Sequence, residues 1–186
     1  QNLAAAYQRY AHHRAAGNDY TLSVDYLRKA RLLAGDDPLI NKNLGALLFR
    51  QATTAMQQGD LEGARWRLEE AIDVDPNTAA LHNGLGEALY GLHDLEGARR
   101  SWKRAIELDP SLTGLKERIG KIEVEQGAEA GFSRMKADKF DIRFDHAAVG
   151  GGVYNLREQL MESYQVIGQD LEYFPSHPII VILYKE

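Results

Sequence analysis

The side chains of this chain that could hold a metal are six histidines and 27 acidic residues, with no cysteine beside them. His12 and His13 are neighbours on a predicted helix and point in different directions, so they cannot serve one ion as a pair one turn apart would. His82, His93, His146 and His177 have no second ligand at a metal-binding spacing. Packing or surface roles are expected for all six, with no metal and no other cofactor. Gly150, Gly151 and Gly152 precede a predicted helix, where backbone N–H groups can cradle a phosphate. No strand-turn leads into them and no Lys, Ser or Thr stands in place, so a loop is expected. Arg99, Arg100, Lys103 and Arg104 make a basic cluster, but they alternate with Glu on the outward side of a helix and are expected to be solvated. Glu69, Glu70, Asp73 and Asp75 fit the same description. No residue of the chain is expected to be catalytic.

Composition narrows the classes further. Of the 186 residues, 44% are hydrophobic and 26% charged, ordinary values for a folded domain. The net charge of -5, with no run of like charges, argues against a nucleic-acid partner. No apolar run approaches the length of a membrane span, and no signal peptide is visible. The first residue is Gln rather than Met, so a processed or excised piece is expected, from which a targeting signal has been removable. The compartment stays open.

The elements that would position any site are mostly helical. Leu81, Leu85, Ala88 and Leu89 form one stripe of a helix, and Leu95, Ala98, Trp102, Ala105 and Leu108 form a second. Gly91 to Asp94 breaks them apart, and Asp109-Pro110 ends the second. Thirty-four positions earlier the same text recurs: GDLEGARWRLEEAIDVDP precedes HDLEGARRSWKRAIELDP. Ala64, Leu68, Ala71 and Pro76 thus stand for Ala98, Trp102, Ala105 and Pro110. This pattern resembles the tetratricopeptide (TPR) repeat. Leu85-Gly86 match its L-G, Leu89 its Tyr, Ala98-x3-Trp102 its A-x3-F and Pro110 its proline, while His82 departs from its Trp. Small residues at Gly86, Ala98 and Ala105 are expected to allow close helix crossings.

Earlier in the chain, a helix from Leu3 to Ala16 would put Leu3, Tyr7, Tyr10, Ala11 and Arg14 near one face. Gly17-Asn18-Asp19 breaks it, a turn one residue longer than the others. Tyr20 to Leu33 follows, with Ser23, Leu27 and Ala30 in the repeat frame. Asp37 is a plausible N-cap and Pro38 a first-turn residue for a helix reaching about Gln58. That unit carries seven residues beyond the repeat period, two extra turns that a helix absorbs with little rotation of its face. Trp66 sits where the next repeat has Arg100 and is expected to be partly exposed or covered by those extra turns. After Pro110, Ser111 would cap a closing helix to about Gln126, and residues 127–138 would be a linker.

From Lys139 the period changes to two. Phe140, Ile142 and Phe144 alternate with polar residues as a half-buried strand. A helix from Tyr154 to about Tyr173 follows, with Leu156, Leu160, Tyr164, Ile167 and Leu171 on one face. Ile179 to Tyr184 is a nearly all-apolar strand, completing a βαβ unit. The chain is expected to stop in the middle of this domain. Phe140, Ile142, Phe144, Asp145, then Ser163, Tyr164, Ile167, Gly168, Leu171, Tyr173, Pro175, and finally Pro178, Ile179, Val181, Leu183 and Tyr184 resemble the start of the peptidase MA-like (gluzincin) metallohydrolase domain of bacterial TPR proteins. In that family a downstream H-E-x-x-H helix binds zinc. No H-E-x-x-H occurs in these 186 residues, so the resemblance assigns no catalytic residue here.

The expected fold class is therefore mainly α: a TPR-type solenoid over 1–126, a linker over 127–138 and a βαβ start over 139–186. The TPR resemblance implies a binding groove on the first helices of the hairpins. The residues it designates are Gln8, His12, Phe49, Thr53, Gln57, Asn83, Glu87, Tyr90, Glu117 and Lys121. This polar set with two aromatics suits an extended peptide, and it lacks the basic residues of a carboxylate clamp. The expected function is a protein- or peptide-binding scaffold, with the front part of a zinc metallopeptidase as the alternative. Self-association through residues 139–184 is expected because Ile179 to Leu183 is an unguarded apolar strand.

Overall fold

The computed structural model describes residues 2–129, 131–145, 152–175 and 178–183. The chain forms two compact units, residues 1–120 and 121–186. The first holds three helix hairpins: α1 (Asn2–Ala16) with α2 (Tyr20–Ala34), α3 (Pro38–Gln57) with α4 (Leu61–Val74), and α5 (Ala79–Gly91) with α6 (Leu95–Leu108). A seventh helix, α7 (Gly114–Glu129), runs through the division between the units.

The three hairpin turns share one chemistry. Each is three residues long, 17–19, 58–60 and 92–94, so the first is not longer than the others as its Gly-Asn-Asp composition suggests. In each, the residue before the capping Asp has a left-handed backbone: Asn18 at φ 62°, Gly59 at φ 79° and His93 at φ 58°. The Asp then accepts a backbone N–H of the next helix, Asp60 from Gly63 at 2.8 Å and Asp94 from Gly97 at 2.9 Å. A Cβ on Gly97 would stand 2.8 Å from Asp94 Cγ, and one on Gly63 2.6 Å from Asp60 Cγ. The repeated D-L-E-G is thus a cap and the space the cap needs.

Buried clusters in the first unit include two that span α1 to α5. One gathers Ala11, Val24, Leu27, Ala30, Ile40, Leu44, Leu48, Ala71, Val74 and Leu81. The other gathers Ala52, Ala55, Ala64, Leu68 and Ala88. Phe49 packs against both. The extra turns of α3, which has 20 residues against 13 in α5, bring Ile40 and Leu44 into the first cluster. On α1 the inward residues are Ala4 and Ala11 with Tyr7 beside them. Leu3, Tyr10 and Arg14, expected on that face, are exposed. Ala4, Tyr7 and Ala11 form the tighter i, i+3, i+7 stripe, and short side chains there let α2 come close enough for Ser23 Oγ to donate to the Ala11 carbonyl at 2.7 Å.

α7 starts at Gly114, two residues later than a Ser111 cap would set it. Ser111 does not cap it, because its hydroxyl and its N–H both bond to Asp109 Oδ1, at 2.6 and 3.0 Å. In the stretch expected as a linker, α7 continues to Glu129 and Phe132–Ala137 form a strand.

The second unit contains a three-stranded sheet in the order β1 (Phe132–Ala137), β2 (Phe140–Asp145), β3 (Ile179–Leu183). β1 pairs antiparallel with β2 and β3 parallel with β2. The βαβ expectation thus holds with one strand added in front of it. Between β2 and β3, α8 (Gly152–Asp170) covers one face. There Phe140, Ile142, Phe144, Val153 and Tyr164 are buried, with Met135, Leu160, Met161, Val181 and Leu183 around them. Ile167 and Leu171, expected inward, are 55% and 68% exposed. Phe174 folds back over Gly168, where a Cβ would meet its Cζ at 2.6 Å, and lies 5.3 Å from the Tyr164 ring. That return closes the inner stripe at Gly168 and leaves Ile167 outside. No described helix is long and apolar enough to cross a membrane.

Candidate functional site

Eight of the ten residues designated for the groove lie on α1, α3 and α5, the first helices of the three hairpins, and α3 and α5 touch one another. On α5, Asn83, Glu87 and Tyr90 follow the helical spacing i, i+4, i+7 and are all half-buried. Phe49 of α3 reaches the same place: its Cε2 lies 3.0 Å from where a Cβ on Gly84 would be. Asn83 Oδ1 is buried and meets no hydrogen-bond donor among the described residues. Thr53 is half-buried and spends its hydroxyl on the Phe49 carbonyl at 3.0 Å. Asn83, Glu87 and Tyr90 therefore share one side of α5, and Phe49 touches that helix at Gly84.

The others are less concentrated. Gln8 is half-buried and His12 exposed on α1, whose packing partner is α2. Gln57 is exposed at the end of α3, and Glu117 is exposed on α7. Lys121, also exposed, lies on α7 at the division between the units.

One residue that the repeat frame does not designate joins this side of α5. Arg118 of α7 pairs with Glu87, and its guanidinium lies 4.6 Å from the Trp102 ring centroid. The Tyr90 ring is 5.6 Å from the same indole, tilted by 38°. A cation placed over the face of a Trp is held by the ring quadrupole as well as by its carboxylate partner. Trp102 thus supports both Tyr90 and Arg118 from below while being fully buried itself. Arg118 lies in the closing helix, beyond the 34-residue text, and only its i, i+3 relation to Leu115 hints at its height on α7.

The remaining charged features are surface pairs. Arg99 and Arg100 reach Glu96, and Arg104 reaches Glu107 at 3.0 Å, as expected for a solvated helix side. His82 Nε2 lies 2.8 Å from the Pro76 carbonyl. His146 and His177 lie outside the described residues, as do Gly150 and Gly151. Among the described residues no three His, Asp or Glu side chains gather as a metal ion would require. Trp66 is 69% exposed on α4, where the repeat frame expects it.

In the second unit, the face of the sheet away from α8 carries a compact ion cluster. Arg134 Nε donates to Asp141 Oδ1 at 2.6 Å, its Nη2 reaches Oδ2, and Arg143 Nη2 lies 3.5 Å from Oδ2. Burial opposes ionisation of Asp141 more than any other single influence. The hydrogen bonds and charge of Arg134, with Arg143 behind them, outweigh it together and hold the carboxyl below its usual value.

Comparison with known proteins bears on the helical unit. Residues 49–113 match a family model for the tetratricopeptide repeat. That stretch folds as helix hairpins of the TPR type. The matched span runs from Phe49 through the whole of α4, α5 and α6, which is the part of the chain that carries the duplicated text. No curated protein matches the chain. Among solved structures, the first TPR of Spaghetti (RPAP3), bound to an HSP90 peptide, is 16% identical, covering 68% of this chain and 94% of that one at a TM-score of 0.45. The Sgt2 TPR domain from Aspergillus fumigatus is 20% identical, covering 80% and 92%, at 0.42. MamA from Desulfovibrio magneticus RS-1 is 16% identical, covering 68% and 87%, at 0.42. The metallohydrolase resemblance of the C-terminal unit draws no support from these matches. A TPR fold is typical of scaffolds that bind proteins or peptides.

Proposed function

We propose that the TPR unit holds an extended peptide segment across α3 and α5, with Phe49, Asn83, Glu87 and Tyr90 as its contact residues and Gln8, His12, Thr53, Gln57 and Glu117 as outlying ones. The observation that carries this reading is the Asn83–Glu87–Tyr90 stripe lying beside Phe49. Two half-exposed aromatic rings flank a side-chain amide and a carboxylate, a composition that stacks on peptide side chains and bonds to peptide backbone. Asn83 supports it further, since a buried carbonyl oxygen without a donor costs free energy that an arriving N–H removes once the amide turns toward it. Glu87, paired with Arg118 and still part-exposed, adds a preference for a peptide with a hydrogen-bond donor at that point.

The test is selection of peptides from a random display library against the full chain, followed by affinity measurement on the enriched sequences. Asn83→Leu and Glu87→Lys should each weaken binding by about tenfold or more, the loss expected at a central contact. Trp66→Phe, on an exposed site of α4, should leave binding unchanged. Enriched peptides that bind all three variants equally would refute this placement of the groove.

A further inference from the structure

We propose, resting on the peptide-groove reading, that Arg118 sets the specificity of the groove: it makes the point at Glu87 select a neutral N–H or O–H donor and turn away lysine and arginine. The ingredients of a cation site are present there. Glu87 offers a half-buried carboxylate, and Tyr90 follows it by one turn on α5. The Tyr90 ring in turn lies 5.6 Å from the indole of Trp102. A carboxylate next to aromatic rings holds an ammonium or guanidinium through charge and ring quadrupole together.

The chain fills that place with its own guanidinium. Arg118 of α7 pairs with Glu87 and lies 4.6 Å from the Trp102 ring centroid. Trp102 is 0% exposed, so no face of the indole is left for a ligand. Glu87 is taken only in part. Its side chain keeps 32% exposure, and a carboxylate has about four lone-pair positions, more than one guanidinium fills. Another donor can therefore join.

What decides between donors is the cost of leaving water. A lysine or arginine head loses strong hydration on entering a half-buried site, and only an unpaired carboxylate compensates that loss. Glu87 is already balanced by Arg118, and an incoming cation also meets Arg118 as a like charge. An amide or hydroxyl gives up far less hydration and keeps its hydrogen bond to a charged acceptor. Phe49 and Asn83 carry no charge that would shift the balance. Arg118 thus selects by exclusion, through a repulsive element rather than a better contact.

The test compares Gln with Lys at each position of a peptide enriched on the full chain. Each result is a ratio of two affinities on one protein, so partial loss of folded material cancels. The position facing Glu87 is the one whose ratio shifts on Glu87→Gln. On the wild type that position should bind Lys about fivefold more weakly than Gln. On Arg118→Gln it should favour Lys by about fivefold, and the preference should fade as salt is raised. Arg118→Lys keeps the cation and should keep the wild-type order, whereas a residue that only braces α7 would leave the ratio unchanged in both variants. Equal ratios on the wild type and Arg118→Gln at every position overturn the proposal and leave the groove standing. So does a wild-type preference for Lys that Glu87→Gln abolishes, a result that needs no Arg118 variant to fold. If the groove itself is misplaced, enriched peptides ignore both Asn83→Leu and Glu87→Lys, and the proposal falls with it.

Discussion

Gly86 of α5 faces the indole of Trp102 on α6 so closely that a Cβ there would stand 2.9 Å from Cε2 and nearer still to Cδ1 and Nε1. The absent side chain on one helix is the space occupied by the largest buried side chain of the other. Gly86→Ala should therefore destabilise by about 1–3 kcal/mol in urea unfolding, the usual cost of overpacking. Gly120→Ala, with nothing within 4 Å of its Cβ position on α7, should be neutral or stabilise by up to about 1 kcal/mol. Equal effects at the two sites would contradict the packing described.

Ala64 and Ala98 are fully buried at the crossings of their hairpins. Leucine at either should also cost about 1–3 kcal/mol, seen as a lower melting temperature. Unchanged melting in both variants would mean that the hairpins do not cross at these alanines.

Trp66 and Trp102 occupy opposite extremes of environment, 69% and 0% exposed. In single-tryptophan variants, Trp66 fluorescence should be red-shifted and readily quenched by acrylamide, and Trp102 fluorescence blue-shifted and protected. Trp102→Ala should cost about 3–5 kcal/mol through the cavity it leaves. Similar quenching of the two residues would count against the α4 and α6 registers.

Acid should loosen the second unit. The folded Asp141 carboxyl titrates below its unfolded value of about 3.9, so its contribution is complete above that value and is lost as pH falls through the folded one. Urea unfolding followed by the Ile142 methyl resonance should show lower stability at pH 3 than at pH 6. Asp141→Asn should remove about 1–3 kcal/mol at pH 6, the range for hydrogen bonds to a charged group, and should flatten that part of the pH dependence. A variant whose pH dependence matches the wild type would exclude Asp141 as the titrating group.

Arg28 of α2 meets Glu70 of α4 with two bonds, Nε to Oε1 at 2.8 Å and Nη2 to Oε2 at 2.7 Å. With side chains 44% and 28% exposed, the pair should show a coupling of about 0.2–1 kcal/mol in a double-mutant cycle, shrinking in high salt. A coupling that is large and insensitive to salt would place the pair in a drier setting than its exposure implies.

The repeats were legible because α4 and α6 carry the same text 34 residues apart, and close helix crossings demand small residues at fixed places. The β2 strand was legible for a similar reason: Phe140, Ile142 and Phe144 alternate without interruption. β1 was not, because its inward residues are Ser133, Met135 and Ala137, too small or too mixed to register as a stripe. The start of α7 was misplaced because Ser111 has two possible partners, and only the fold shows that Asp109 takes it. At the candidate site, Glu87 and Tyr90 follow from the repeat frame. Arg118 does not, since it is recruited by Trp102 from a helix that the repeat does not contain.

Phe49 has a consequence for how the helical unit comes apart. In an array whose units touch only neighbours, each hairpin can open alone, and cooperativity depends on the residues shared across boundaries. Phe49 is such a residue, packed into both buried clusters from a helix long enough to reach them. Opening α3 thus exposes both clusters at once, while fraying α1 disturbs only one. The first unit should melt as a single transition with early loss at its amino-terminal end. The lengthened helix thus ties α1 through α5 together rather than leaving them as separable pieces.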